Sequence, residues 1–298
     1  MTTSPPVPVR AADPTARRRM RAGLPVPVEK VVTLLGVTVP VAAVVLATVQ
    51  TWNHLTTWRD IWIFVGMYFA TAFGVTVGFH RMTAHRAFDA NPVVKFVLLA
   101  LGCMAGMMDP IRWSAIHLQH HARSDRDGDP HSPLDGLWHA HIGWFLPGFD
   151  EDVQTYARGV AADRMMRFFR RTYWGWAILA VIIPYLLGGW RGVLWGTGVR
   201  LFFTLHMAFS VNSVCHTFGR RDFQTGDRSR NQWFLGFIAL GEGWHNNHHA
   251  FPRSAFHGLR WWQVDVSGYA IRALEQLRLA SNVHRVSPAL MNARRITD

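Results

Sequence analysis

Nine of the 16 histidines in this chain fall into four groups whose spacing can hold metal. His80 and His85 stand in Gly-Phe-His-Arg-Met-Thr-Ala-His, and His117, His120 and His121 form His-Leu-Gln-His-His. His216 follows Asn212 by four residues, and His245, His248 and His249 close Gly-Glu-Gly-Trp-His-Asn-Asn-His-His. The spacing His-x-x-His-His places imidazoles at i, i+3 and i+4, on one helix face, where they can converge on a shared point. Two such triplets, a pair and a single supply nine ring nitrogens. That is too many for one four- or five-coordinate ion and enough for two. Imidazole suits iron, copper, nickel and zinc alike, so ligand type leaves the metal open.

Other metal chemistries fail on spacing. No histidine is followed by glutamate, so the His-Glu-x-x-His zinc peptidase motif is absent. None has Asp or Glu two residues later, the local pair of mononuclear iron sites and zinc deaminases. Ferritin-like di-iron sites need two Glu-x-x-His motifs, and Glu242…His245 is the one present. Cys103 and Cys215 are too few for a cysteine-built centre. His54, His206, His257 and His284, each alone, read as surface or packing residues. His131, His139 and His141 lie near the second group in sequence and are candidates for supporting it.

The elements that must carry these groups are apolar. Charged residues are 17% of the chain, against about 25% in soluble domains. Uncharged runs at 31–49 and 61–79 reach the roughly 20 residues that cross a bilayer, and 174–189 and 192–211 follow as less perfect spans. Arg200, inside the last, is costly unless it faces the bundle interior. The apolar stretch 93–108 must stay on one side to keep the histidines together, as an interfacial or buried helix. The expected fold is therefore an all-α integral membrane protein with four spans. The segments 80–173 and 216–298, on one side of the membrane, would carry the histidines.

The 31 Lys and Arg against 19 Asp and Glu give a net charge of +12. They concentrate before the first span, in 80–173 and after 216. The positive-inside rule puts both termini, these segments and the histidines in the cytoplasm. Topology accounts for the charge, and no nucleic-acid partner is expected. Residues 1–30, rich in Pro and Arg, read as a disordered cytosolic tail ahead of one domain over 31–298.

These residues resemble the membrane-bound fatty-acyl desaturases, specifically the bacterial type of the Δ9 acyl-CoA branch. The likeness rests on Gly78–Arg86, Trp113–Trp144, Asn212–Gly219 and Gly236–Pro252, above all Gly-Glu-Gly-Trp-His-Asn-Asn-His-His-Ala-Phe-Pro. It implies that His80, His85, His117, His120, His121, His216, His245, His248 and His249 ligate two irons, with Asn212 holding a water on one of them. It implies a four-span bundle under a cytosolic helical cap and a narrow tunnel that bends the acyl chain past the metals. The activity implied is oxygen-dependent insertion of a cis double bond at Δ9 of a long saturated acyl-CoA. Dioxygen is co-substrate, and electrons come from a separate ferredoxin, cytochrome b5 or flavoprotein reductase. A preference for Arg over Lys, 29 to 2, points to a GC-rich bacterial source and its inner membrane.

Four positions depart from the family pattern. Ala115-Ile116 stand where animal members carry Arg-Asp for the coenzyme A head group, and Leu118 replaces a basic residue. Coenzyme A, acyl carrier protein and membrane lipid thus all stay open as carriers, with Arg112, Arg123, Arg126, Arg167, Arg170 and Arg171 as cationic candidates. Phe209 replaces a frequent tryptophan that shapes the tunnel bend. The alternatives are a hydroxylase on the same scaffold or, in another class, a membrane metal-binding or transport protein. Transport would place ligands along a path near mid-membrane.

Overall fold

The computed structural model describes residues 26–147 and 151–296. Most of the tail expected over 1–30 lies outside the described residues. Helix α1 (Val26–Trp52) is followed by α2 (Trp58–Phe73), which runs on as a π-helix over Gly74–Ala84. Then come α3 (Pro92–Met104), α4 (Pro110–Arg123), α5 (Arg164–Val193), a π-helical turn at Leu194–Val199, and α6 (Arg200–Val214). Shorter helices follow, among them α7 (Trp233–Ile238), α8 (His245–Ala250), α9 (Val266–Gln276) and α10 (Pro288–Arg294). A two-residue antiparallel pairing of Asp89–Ala90 with Ala280–Ser281 ties the C-terminal segment to the entry of α3.

Among the described residues three helical stretches are long and apolar enough to cross a membrane: Lys30–Trp52, Trp58–Ala84 and Arg164–Val214. The third is not one rod. Gly188 and Gly189 leave helical geometry, Gly189 at φ 60°, a left-handed conformation that glycine adopts without strain. Beyond it Thr197 Oγ1 donates to the Ala180 carbonyl at 2.8 Å. In a straight helix residues 17 apart would be roughly 25 Å apart, so the chain doubles back. Gly192 permits the close return, because a Cβ there would meet the Pro184 carbonyl oxygen at 2.0 Å. At the same end Asp60, which closes a capping box with Thr57 at the start of α2, pairs with Arg191.

Helices α2, α3, α5 and α6 pack on one another, with α1 against the Leu194–Val199 turn and α6. Large apolar side chains stay exposed along α1 (Leu34, Leu35, Val45, Leu46) and α5 (Ile178, Ile182, Leu186). In water such a belt is unfavourable; in hydrocarbon it is required. Trp52, Trp58 and Trp190 are exposed at the Asp60 end, where interfacial tryptophans belong. Arg200 turns inward: it is 1% exposed, and its guanidinium donates to the Ala105 and Gly196 carbonyls. The apolar stretch after residue 92 forms α3, only 13 residues long and docked on the π-helical end of α2.

Candidate metal centre

The histidines come from four elements that meet at the ends of α2 and α6 away from Asp60. His80 sits in the π-helical turns of α2 and His85 just past them. In α4, Asp109 caps the helix by accepting from the Ile111 and Arg112 amides, with Pro110 at its first position, and this aims His117, His120 and His121 inward. His216 follows α6, and α8 carries His245, His248 and His249. Gly241, at φ 110° and too close to Asp265 for any Cβ, makes the turn that presents Glu242.

All nine are brought together, in two sets. Ring nitrogens of His80, His85, His117, His121 and His248 lie within 4.8 Å of one another, and so do those of His120, His216, His245 and His249. Each triplet is split. His117 and His121 join the five while His120 joins the four; His245 and His249 join the four while His248 joins the five. The expectation that a triplet converges on one point is therefore corrected. Residues i and i+4 lie only about 40° apart on the helix, but i+3 is rotated about 100° from i+4, toward the neighbouring site. Each triplet thereby bridges two positions.

Carboxylates set the tautomers. Nδ1 of His80 meets Glu242 at 2.5 Å, that of His120 meets Asp129 at 2.9 Å, that of His216 meets Asp125 at 2.9 Å, and that of His249 meets Asp227 at 2.7 Å. With the proton on Nδ1, each Nε2 presents a lone pair inward. His120 Nε2 and His249 Nε2 are buried with no hydrogen-bond partner. Elsewhere nitrogens face nitrogens: His85 and His117 at 2.7 Å, His248 and His121 at 2.9 Å, His80 and His248 at 3.0 Å, His245 and His216 at 3.1 Å. Buried lone pairs without donors are costly, and divalent cations would satisfy them. Carboxylate–imidazole–metal is the usual arrangement behind such ligands. The donor set fits two metal ions.

Burial disfavours the charged form of six of these imidazoles. It drives His85, His117, His120, His121, His245 and His248 well below the ordinary value of 6.5, reinforced by neighbouring histidines. For Asp227 burial opposes ionisation, but donors from His249 and Ser229 outweigh it and hold the carboxyl well below its usual range. Behind His80, Arg81 is 0% exposed and pairs with Glu242 at 3.0 Å and Asp265 at 2.8 Å.

Other assignments shift. His257, read as a lone packing residue, is buried with both ring nitrogens unpartnered, and Nδ1 lies 3.7 Å from Glu242. Its neighbours arrive from distant segments, so no local spacing marks it. His131 is buried 4.3 Å from the His120 ring, its pKa pushed down to about 4 by burial. His141 bonds instead to Ser213 and His206, and His139 stands partly exposed near Asp135. Asn246 and Asn247 serve the scaffold: Asn246 Oδ1 accepts from the Asp222 and Phe223 amides, and Asn247 donates to the His257 carbonyl and Gln263. Among the arginine candidates, Arg112 pairs with Glu151 and Arg167 caps the Ala161 and Ala162 carbonyls.

Two cavities adjoin the histidines. A narrow apolar one of about 60 Å³ is walled by Trp113, Ile116, Phe145, Leu205 and Phe209, with His117 and Asn212 at its polar edge. Trp113 stacks on the His117 ring at 4.8 Å. A polar cleft of about 390 Å³ reaches His121, His249 and Asp227 from outside, past Arg126 and Arg294.

Residues 56–268 match the family model described as fatty acid desaturase. The chain is 38% identical to a chloroplastic palmitoyl-monogalactosyldiacylglycerol delta-7 desaturase of Arabidopsis thaliana, over 78% of this chain and 64% of the relative. It is 40% identical to an icosanoyl-CoA 5-desaturase of Limnanthes douglasii, over 76% and 65%. It is 38% identical to an sn-1 stearoyl-lipid 9-desaturase of Anabaena variabilis, over 76% and 84%. The chain thus spans just under two thirds of the two plant relatives.

Proposed function

The chain belongs to the fatty acid desaturase family, and from that premise we propose that it is an oxygen-dependent desaturase placing a cis double bond at Δ9 of a long saturated acyl chain. The observation that carries this reading is the two sets of buried imidazoles beside an apolar cavity. In this reading the nine histidines would hold two irons, five and four, and Asn212 would hold a water beside them. A redox metal pair supplies, with dioxygen, an oxidant that can take hydrogen from unactivated methylenes, which no side chain can do.

The protein's own contribution is placement and exclusion. Trp113, Ile116, Phe145, Leu205 and Phe209 hold the chain against the metals so that one carbon pair is in reach. Phe209, packed on Trp144 and Phe145, sets the bend that would give a cis product. The carrier is acyl-CoA in this reading. The relatives' substrates, a galactolipid, an acyl-CoA and a stearoyl-lipid, make lipid the alternative. The hairpin at Gly188–Gly189 supports four crossings, with the cap, the histidines and both termini on the cytoplasmic side of a bacterial inner membrane. Electrons come from a separate redox protein.

The test is a fatty-acid profile by gas chromatography–mass spectrometry, with double bonds mapped by derivatisation, in a desaturase-deficient host supplied with a reductase. A new cis-Δ9 monoene made by the unmutated chain and absent with His249→Ala is expected. A hydroxy acid in its place would move the chain to the hydroxylases; a double bond elsewhere would refute Δ9.

A further inference from the structure

The two histidine sets differ in what stands behind them. In the set of four, His120, His216 and His249 donate from Nδ1 to Asp129, Asp125 and Asp227, at 2.9, 2.9 and 2.7 Å, leaving His245 without a carboxylate. In the set of five, among the described residues, only His80 has such a partner, Glu242. Glu242 is itself engaged: its Oε1 accepts from Arg81 Nη2 at 3.0 Å and Nε at 3.3 Å. Asp265 offsets Arg81 in turn, so the Glu242–Arg81–Asp265 cluster carries one net negative charge against three behind the other set. Asp125, Asp129, Glu242, Arg81 and Asp265 are shielded from water, where charge acts over a lower dielectric, and Asp227 borders the outer cleft. A carboxylate on the far nitrogen makes an imidazole a stronger donor, and a guanidinium on that carboxylate reverses part of the effect.

Resting on the two-iron reading above, we propose that the metal positions are electronically unequal. The four-histidine position is the electron-rich one, and Asp125, Asp129 and Asp227 are the positioning residues that make it so. That position holds its ion more tightly despite having one nitrogen fewer. Asp227 is the cleanest lever, because its second oxygen serves only the Ser229 amide and hydroxyl. Asp125 and Asp129 also hold loop amides, of Arg228 and of Asp125 respectively.

The experiment uses the full chain in detergent, loaded with 57Fe, read by Mössbauer spectroscopy and by equilibrium competition with a chelator. Two doublets of equal area are expected, with two irons per chain released at separate chelator concentrations. Asp227→Asn should weaken the tighter site by about 10–100-fold and move one doublet. Glu242→Gln should act on the weaker site and move the other. Asp227→Glu, which restores a carboxylate, should recover the tighter site, a rescue that a purely structural loss would not show. Should Asp227→Asn fail to fold, Asp129→Asn carries the same expectation. A single doublet with single-step release, or both variants acting on one doublet, would overturn the inequality while leaving the two-iron reading intact. Fewer than two irons per unmutated chain would overturn both.

Discussion

At the scale of single residues, the two histidine sets depend on side chains that stand behind them. Four carboxylates hold four imidazole tautomers, and Arg81 is buried because Glu242 and Asp265 neutralise it. Phe209 plays the corresponding part on the apolar side. It is 1% exposed and lies against His141, Trp144 and Phe145. Truncating such a residue to alanine costs about 3–5 kcal/mol, so Phe209→Leu is the informative change. It should leave enough folded protein to assay and shift the double-bond position or chain-length preference of the product. An unchanged product profile would show that Phe209 does not shape the pocket.

At the scale of elements, the decisive contact is α2 on α3. A Cβ on Gly74, where α2 turns π-helical, would lie 2.1 Å from the Gly102 amide nitrogen of α3. Small residues let helices approach this closely, and the approach fixes where His80 and His85 emerge. Gly74→Ala should therefore destabilise by about 1–3 kcal/mol through overpacking and lower the metal content. Gly66, a few residues earlier in α2, faces open space, with no atom within 4 Å of where a Cβ would sit. Gly66→Ala should be neutral or slightly stabilising. Melting temperature and metal per chain, measured side by side, check the pair; equal effects would refute the role given to the α2–α3 crossing.

At the scale of the whole molecule, burying so many imidazoles couples stability to pH. The folded values of His85, His117, His120, His121, His245 and His248 lie well below 6.5. Below 6.5 the unfolded chain therefore binds more protons than the metal-free fold, and stability rises with pH. It is greatest above 6.5 and falls as pH drops toward the depressed folded values. Bound metal adds stability by binding the folded state, and protons compete for the same nitrogens. The melting temperature of chelator-stripped protein should fall between about pH 8 and about pH 5. The loaded protein should melt higher at the upper end and converge with it at the lower. A flat profile for the stripped protein would contradict the burial argument.

Residue types at short spacing are local facts, and those alone determined much of this protein: nine histidines as the candidate set that the fold gathers, the apolar stretches, the inward need of Arg200. What depended on the approach of distant segments came only from the tertiary structure. Helical spacing says that His117, His120 and His121 share a face; which of two positions each serves depends on where α8 and the end of α6 lie against that face. His216 meets Asp125 across 91 residues and His80 meets Glu242 across more than 160, with no pattern to announce either. His257 looks ordinary in the chain because its neighbours are assembled around it by folding. Periodicity reports which way a side chain points from its own helix; only packing decides what waits on the other side.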